Sequence, residues 1–219
     1  MTRISLIHAT PLAIEPVVSA FRSNWPDAEV FNCLEDSLTT DLKAAGTVDS
    51  AIIERFKILG RYAANTGADG ILFTCSAFGE AIEEVASDLG PLPVLKPNEA
   101  MFEEALSSGK RIAMIATFEP SVPSMQREFE LMADKLNPDA TLQTACVPEA
   151  MAALGNGDVQ SHNRMIAEAA GQFSDQDVLM LAQFSMASAL DDVQKQVSIP
   201  VLTSPMSAIR KLRISLGKA

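Results

Sequence analysis

Cys75 is the residue of this chain best placed to do chemistry. It sits in Phe73-Thr74-Cys75-Ser76-Ala77, after a short apolar run and before a helical pattern. A thiol between a strand and a helix meets backbone N–H groups and the positive end of the helix dipole, which favour the thiolate. The competing reading is a buried structural cysteine at a strand end. Cys33 and Cys146 end apolar runs without such a hydroxyl neighbourhood, and both read as core. His8 follows the first apolar run. Neighbouring strands lie about 4.8 Å apart, so if the first and third strands pair, a His8–Cys75 hydrogen bond is feasible and would activate the thiol. A histidine bonded to a loop carbonyl is the alternative.

The elements that must position these residues repeat. Arg3-Ile4-Ser5-Leu6-Ile7 returns as Arg111-Ile112-Ala113-Met114-Ile115, and Asp69-Gly70-Ile71-Leu72-Phe73 returns as Asp177-Val178-Leu179-Met180-Leu181. Both offsets are 108 residues (111 − 3 and 177 − 69). Strands are expected near 4–7, 28–33, 71–74 and 93–95, and again near 111–116, 141–146, 178–181 and 200–202. The helices read at 11–21, 50–64, 78–89, from about 98, and at 120–135, 159–173, 186–196 and 205–216. Leu154-Gly155-Asn156-Gly157-Asp158 reads as a turn. Strand–helix alternation predicts an α/β fold of two pseudo-symmetric αβα lobes, each with a short four-stranded parallel sheet. Lobe one is expected over 1–97 plus 203–219 and lobe two over 98–202.

In such sheets ligands bind beyond the carboxyl ends of the strands, here in a cleft between the lobes. The candidates in lobe one are Thr10, Thr74, Ser76 and Ala77 around His8 and Cys75. Those in lobe two are Thr117, Ser121, Gln183, Phe184 and Ser185. Each hydroxyl at a helix entrance is by default an N-cap, and their convergence would make a small anion pocket.

Composition narrows the functions. The 219 residues carry a formal net charge of −11, which argues against nucleic acid, where basic patches dominate affinity. No run approaches the ~20 apolar residues of a membrane span. The N-terminus lacks a signal-peptide layout, and three cysteines without CxxC or Cys/His spacing suit reduced thiols, so a cytoplasmic protein without a metal is expected. His8-Ala9-Thr10-Pro11 stands where a GxGxxG would be, and no Walker motif occurs, so no nucleotide cofactor is expected. The acidic surface and apolar helices are compatible with a homo-oligomer.

Three segments resemble the aspartate/glutamate racemase superfamily, which includes hydantoin racemases, maleate isomerases and arylmalonate decarboxylases. They are Phe73-Thr74-Cys75-Ser76-Ala77, Ala116-Thr117-Phe118-Glu119-Pro120-Ser121 and Pro200-Val201-Leu202-Thr203-Ser204-Pro205. The resemblance implies one cysteine after the third strand of each lobe and a substrate carboxylate between them. The 108-residue offset places the second cysteine position on Gln183, and glutamine neither donates nor accepts a proton as an acid or base at neutral pH. The expectation is a one-cysteine, cofactor-independent enzyme acting on a small carboxylate at its alpha carbon or double bond, of decarboxylase or isomerase type. Cys75 would be the acid/base or nucleophile, with His8 or Glu149 as helper. The alternatives are an amino-acid racemase with a non-cysteine second base, a non-catalytic carboxylate-binding protein, and a Cys–His hydrolase.

Overall fold

A computed structural model describes residues 1–218. The chain divides into two compact units, Met1–Pro97 with the stretch from Ala208 onward, and Asn98–Ser207. The return to unit one falls inside the last helix, five residues beyond the 203 expected from the sequence.

Unit one carries β1 (Thr2–His8), α1 (Ile14–Asn24), β2 (Ala28–Leu34), α2 (Leu38–Ala45), α3 (Ser50–Asn65), β3 (Gly70–Phe73), α4 (Gly79–Leu89) and β4 (Val94–Leu95). Unit two carries α5 (Glu99–Ser108), β5 (Arg111–Ala116), α6 (Val122–Leu136), β6 (Thr141–Cys146), α7 (Pro148–Gly155), α8 (Val159–Ala170), β7 (Val178–Leu181), α9 (Leu190–Gln194) and β8 (Val201–Thr203). α10 (Ser204–Ser215) starts in unit two and ends in unit one. Each unit has a four-stranded parallel sheet, in the order β2-β1-β3-β4 and β6-β5-β7-β8. β3 and β7 are buried along their whole length, as continuous apolar runs in doubly covered parallel sheets should be.

The ladders turn the repeat into a register. Ile4 pairs with Gly70 and Ile112 with Val178, which is the same pairing at offset 108. Arg3 pairs with Glu29 and Arg111 with Thr141, so the second strands align at offset 112, which sequence similarity alone does not reveal. The aspartates of the repeat have one job in both units. Asp69 Oδ2 accepts the Arg3 N–H at 2.8 Å, and Asp177 Oδ2 accepts the Arg111 N–H at 2.8 Å. Asp177 also takes the Lys110 N–H and the Arg111 guanidinium, and these bonds, the backbone one foremost, hold its carboxyl at about 2. A Cβ on Gly109 would lie 2.4 Å from that of Asp177, so this approach requires glycine.

Two helices lie outside the sequence expectation, α2 and α7. Both are eight residues, shorter than the span over which a 3.6-residue apolar period is readable. The expected turn at 154–158 begins inside α7, whose last two residues are Leu154 and Gly155, and continues past it with Gly157 at φ +81° and the Asp158 side chain capping α8. Several expected helix openings are 3-10 turns instead, over Pro11–Ala13, Ser76–Phe78, Glu119–Ser121 and Phe184–Ala189.

The core of unit one reaches the Cys75 loop through aromatic rings. Phe56 on α3 stacks on Phe73 at 5.3 Å between centroids and meets Phe78 at 4.9 Å, so one ring holds both ends of the segment 73–78. Phe56→Ala should cost unit one about 3–5 kcal/mol, as large-to-small changes of buried aromatics do. Trp25, the only tryptophan and a residue of unit one, reports this by fluorescence during urea unfolding. A loss below about 1 kcal/mol would show that the segment does not depend on that ring.

Candidate active site

In a parallel sheet the crevice for a ligand opens at the carboxyl ends of the strands, where successive connections leave in opposite directions. In unit one the chain passes from β1 to β2 on one side and returns to β3 on the other. The switch point therefore lies between His8 and Thr74-Cys75. In unit two it lies between Thr117 and Gln183. Nearly all the residues singled out from the sequence fall at one of these two places.

Thr74 follows β3 beside the end of β1, and its N–H donates to the Ile7 carbonyl at 3.0 Å. Its hydroxyl lies 2.8 Å from His8 Nδ1, while His8 Nε2 lies 2.9 Å from Asn32 Oδ1. Asn32 offers a carbonyl oxygen, so Nε2 carries the proton and Nδ1 accepts from Thr74. His8 is fully buried, and burial lowers its pKa against the smaller raising effect of Asn32. This overturns the expected His8–Cys75 pair: both ring nitrogens are committed to Thr74 and Asn32. His8 ties the end of β1 to Thr74, the residue before Cys75, and to Asn32 on β2. Asn32 escaped the sequence reading. Its signal was a polar residue in the middle of an apolar strand.

Cys75 is half-buried and packs against the apolar core of unit one. The Ala77 N–H donates to its sulfur, which favours the thiolate, but burial is the larger effect and raises the pKa. The stabilised thiolate expected from the sequence is therefore corrected. A three-residue 3-10 turn, not the N-terminus of α4, follows the thiol, and desolvation outweighs one N–H. Ser76 and Ala77 are half-buried beside it. Thr10 caps the first turn, with its hydroxyl accepting the Leu12 N–H at 3.4 Å.

Unit two is built differently at the equivalent positions. Gln183 Oε1 accepts the Thr117 N–H at 2.8 Å and the Thr117 hydroxyl at 3.3 Å. Gln183 Nε2 donates to Ser121 Oγ at 3.3 Å, and the Ser121 hydroxyl donates to the Phe118 carbonyl at 2.8 Å. Thr117, Ser121 and Gln183, expected to hold substrate, hold one another. Phe184 and Ser185 are buried in the turn after Gln183. Asn163 ties that turn to α8, accepting from the Ser188 hydroxyl and donating to its carbonyl. Cys33 and Cys146 each pack against an apolar cluster, half-buried, and burial raises both thiols. Glu119 and Glu149 lie close enough to Cys146 to raise it further. Among the described residues, no group of three or more His, Cys, Asp or Glu side chains could hold a metal ion. No helix there is long and apolar enough to cross a membrane.

A sequence model of the family described as Asp/Glu/Hydantoin racemase matches residues 17–212. The chain belongs to this family. Solved structures agree on the fold. An aspartate racemase from Picrophilus torridus superposes with a TM-score of 0.74 at 16% identity, over 100% of this chain and 96% of that one. An allantoin racemase from Klebsiella pneumoniae gives 0.72 at 19% identity, over 100% and 90%. A glutamate racemase from Francisella tularensis in complex with D-glutamate gives 0.71 at 14% identity, over 99% and 81%. No curated protein matches the sequence.

His8 makes a pH prediction. Its folded pKa lies below the ordinary 6.5, so the unfolded chain binds the proton more readily. The stability it contributes is complete above pH 6.5 and is lost as pH falls below that toward the folded value. Stability followed by Trp25 fluorescence should fall as pH drops below 6.5, and His8→Gln should flatten that slope. An unchanged slope in the variant would contradict a buried neutral His8.

Proposed function

We propose that this member of the racemase family is a one-cysteine enzyme that delivers a proton to one face of the alpha carbon of a small carboxylate, in the manner of a decarboxylase. The observation that carries this reading is the contrast at the repeat. Cys75 presents a thiol at the switch point of unit one, and Gln183 stands at the equivalent place in unit two with its carboxamide bonded to Thr117 and Ser121.

The protonation state of the thiol supports proton delivery. Burial keeps Cys75 as S–H at neutral pH, which suits a general acid better than a resting base or nucleophile. In the step proposed, the bond between the alpha carbon and a carboxylate breaks and carbon dioxide leaves. The electron pair stays on the substrate as an enediolate. The Cys75 S–H protonates that carbon, and solvent returns a proton to the thiolate. In this reading Ser76 donates to the carboxylate that remains. His8 acts through Thr74, holding the strand end in register. Racemisation would need a second proton carrier on the opposite face, and addition to an alkene would need a resting thiolate. Neither follows from these groups.

Two measurements test this. Cys75→Ala, assayed on a panel of aryl- and alkylmalonates, maleate and amino acids, should lower turnover of the accepted substrate at least ~10²-fold, the scale of a lost general acid. Undiminished turnover would remove Cys75 from the chemistry. The alkylation rate of Cys75, followed by peptide mass spectrometry, should still be climbing above pH 9, because its pKa lies above the ordinary 9.0. A plateau near neutral pH would show a stabilised thiolate and reverse the role.

A further inference from the structure

Three donors converge on the carboxamide of Gln183 or can be turned toward it. The Thr117 N–H and hydroxyl both point at Oε1, at 2.8 and 3.3 Å. The Ser121 hydroxyl lies 3.3 Å from Nε2 and spends its own proton on the Phe118 carbonyl. Thr117 and Ser121 are buried, so their polar groups need partners, and Gln183 supplies them. A carboxamide has the shape of a carboxylate. Two donors on one sp² oxygen, with a hydroxyl at the other terminal atom, is also how a carboxylate is held. For a carboxylate the Ser121 hydroxyl would rotate from Phe118 and donate, and every bond would become charge-assisted and stronger.

We propose that Gln183 determines specificity as an internal stand-in for a ligand carboxylate. Its carboxamide fills a receptor made by Thr117 and Ser121, and unit two consequently holds no carboxylate of the substrate at this place. Deleting the side chain opens a subsite for one small carboxylate of the size of formate or acetate, or for the terminal carboxylate of a longer acid. The inference rests on unit two alone and does not use Cys75, so it stands or falls apart from the function proposed above.

The test uses the full-length protein and acetate and formate as probes, against sodium chloride at equal ionic strength. Thermal melts of Gln183→Gly should shift upward saturably with acetate or formate, with an apparent affinity at least tenfold tighter than in the wild type. The gain should disappear in Gln183→Gly combined with Thr117→Val, and should persist when Cys75→Ala is added. A Gln183→Gly variant that folds but responds to acetate no more than to chloride would overturn the proposal. Gln183→Glu tests the same receptor if the glycine variant does not fold. The introduced carboxyl should titrate below the ordinary glutamate value of about 4.3, because three donors favour its charged form. The stability of Gln183→Glu relative to wild type should therefore be greatest above that pH and fall as pH drops through the lowered value. A carboxyl that titrates at or above 4.3 would show that Thr117 and Ser121 do not form a carboxylate receptor.

Discussion

The obligation to satisfy buried polar groups at the carboxyl ends of two parallel strands governs both halves of this protein. Wherever strand order reverses, backbone groups and helix-entry hydroxyls come to one place, and each must find a partner. Unit one meets the obligation behind the thiol. His8 accepts from the Thr74 hydroxyl on one side and donates to Asn32 on the other, and Cys75, the next residue after Thr74, receives one N–H on its sulfur. Unit two meets it with the residue that stands in the cysteine position. Gln183 bonds Thr117 through its Oε1 and Ser121 through its Nε2. The duplicated fold thus carries two different ends, one with a thiol and one with a hydrogen-bonded carboxamide.

The rest of the architecture serves to hold those ends in register. The aspartates at the start of β3 and β7 pin the amino ends of β1 and β5 through the same N–H, at the same offset. Phe56, wedged against Phe73 and Phe78, fixes the segment that contains Cys75 from the core side. Apolar packing, backbone pairing and side-chain bonds therefore agree on where the thiol is. Its raised pKa follows from that same packing. A thiol held this firmly against a core loses more solvation than one N–H returns, and it stays protonated at neutral pH.

What the sequence disclosed, and what it concealed, divides along physical lines. Strands β5 and β7 were legible to the residue, because buried parallel strands are continuous apolar runs bounded by polar residues, and the bounds of the partly exposed β6 matched as well. The displacement of the second cysteine position onto Gln183 came from the 108-residue spacing, and the pairing of β1 with β3 was expected from the usual strand order of such sheets. α2 and α7 were too short to show a helical period. The alignment of β2 with β6 was hidden because those edge strands lie partly in solvent and have diverged. The site was visible as a set of residue types and not as a set of bonds. Thr117, Ser121 and Gln183 look like substrate ligands in a sequence, since nothing there says that a side chain 62 to 66 residues away already completes them. His8 looked like a partner for Cys75 for the same reason: Asn32, which takes its other nitrogen, lies on a different strand.

The central claim is that one face of the substrate carbon meets a proton carrier and the other does not. The most direct measurement is turnover of a prochiral substituted malonate in deuterium oxide, with the stereochemistry of the deuterated product read by chiral chromatography and NMR. The account predicts one enantiomer carrying one deuterium, with no exchange on standing with the enzyme. A racemic product, or an enzyme that exchanges the alpha hydrogen of both enantiomers, would contradict it, since either requires a second acid/base.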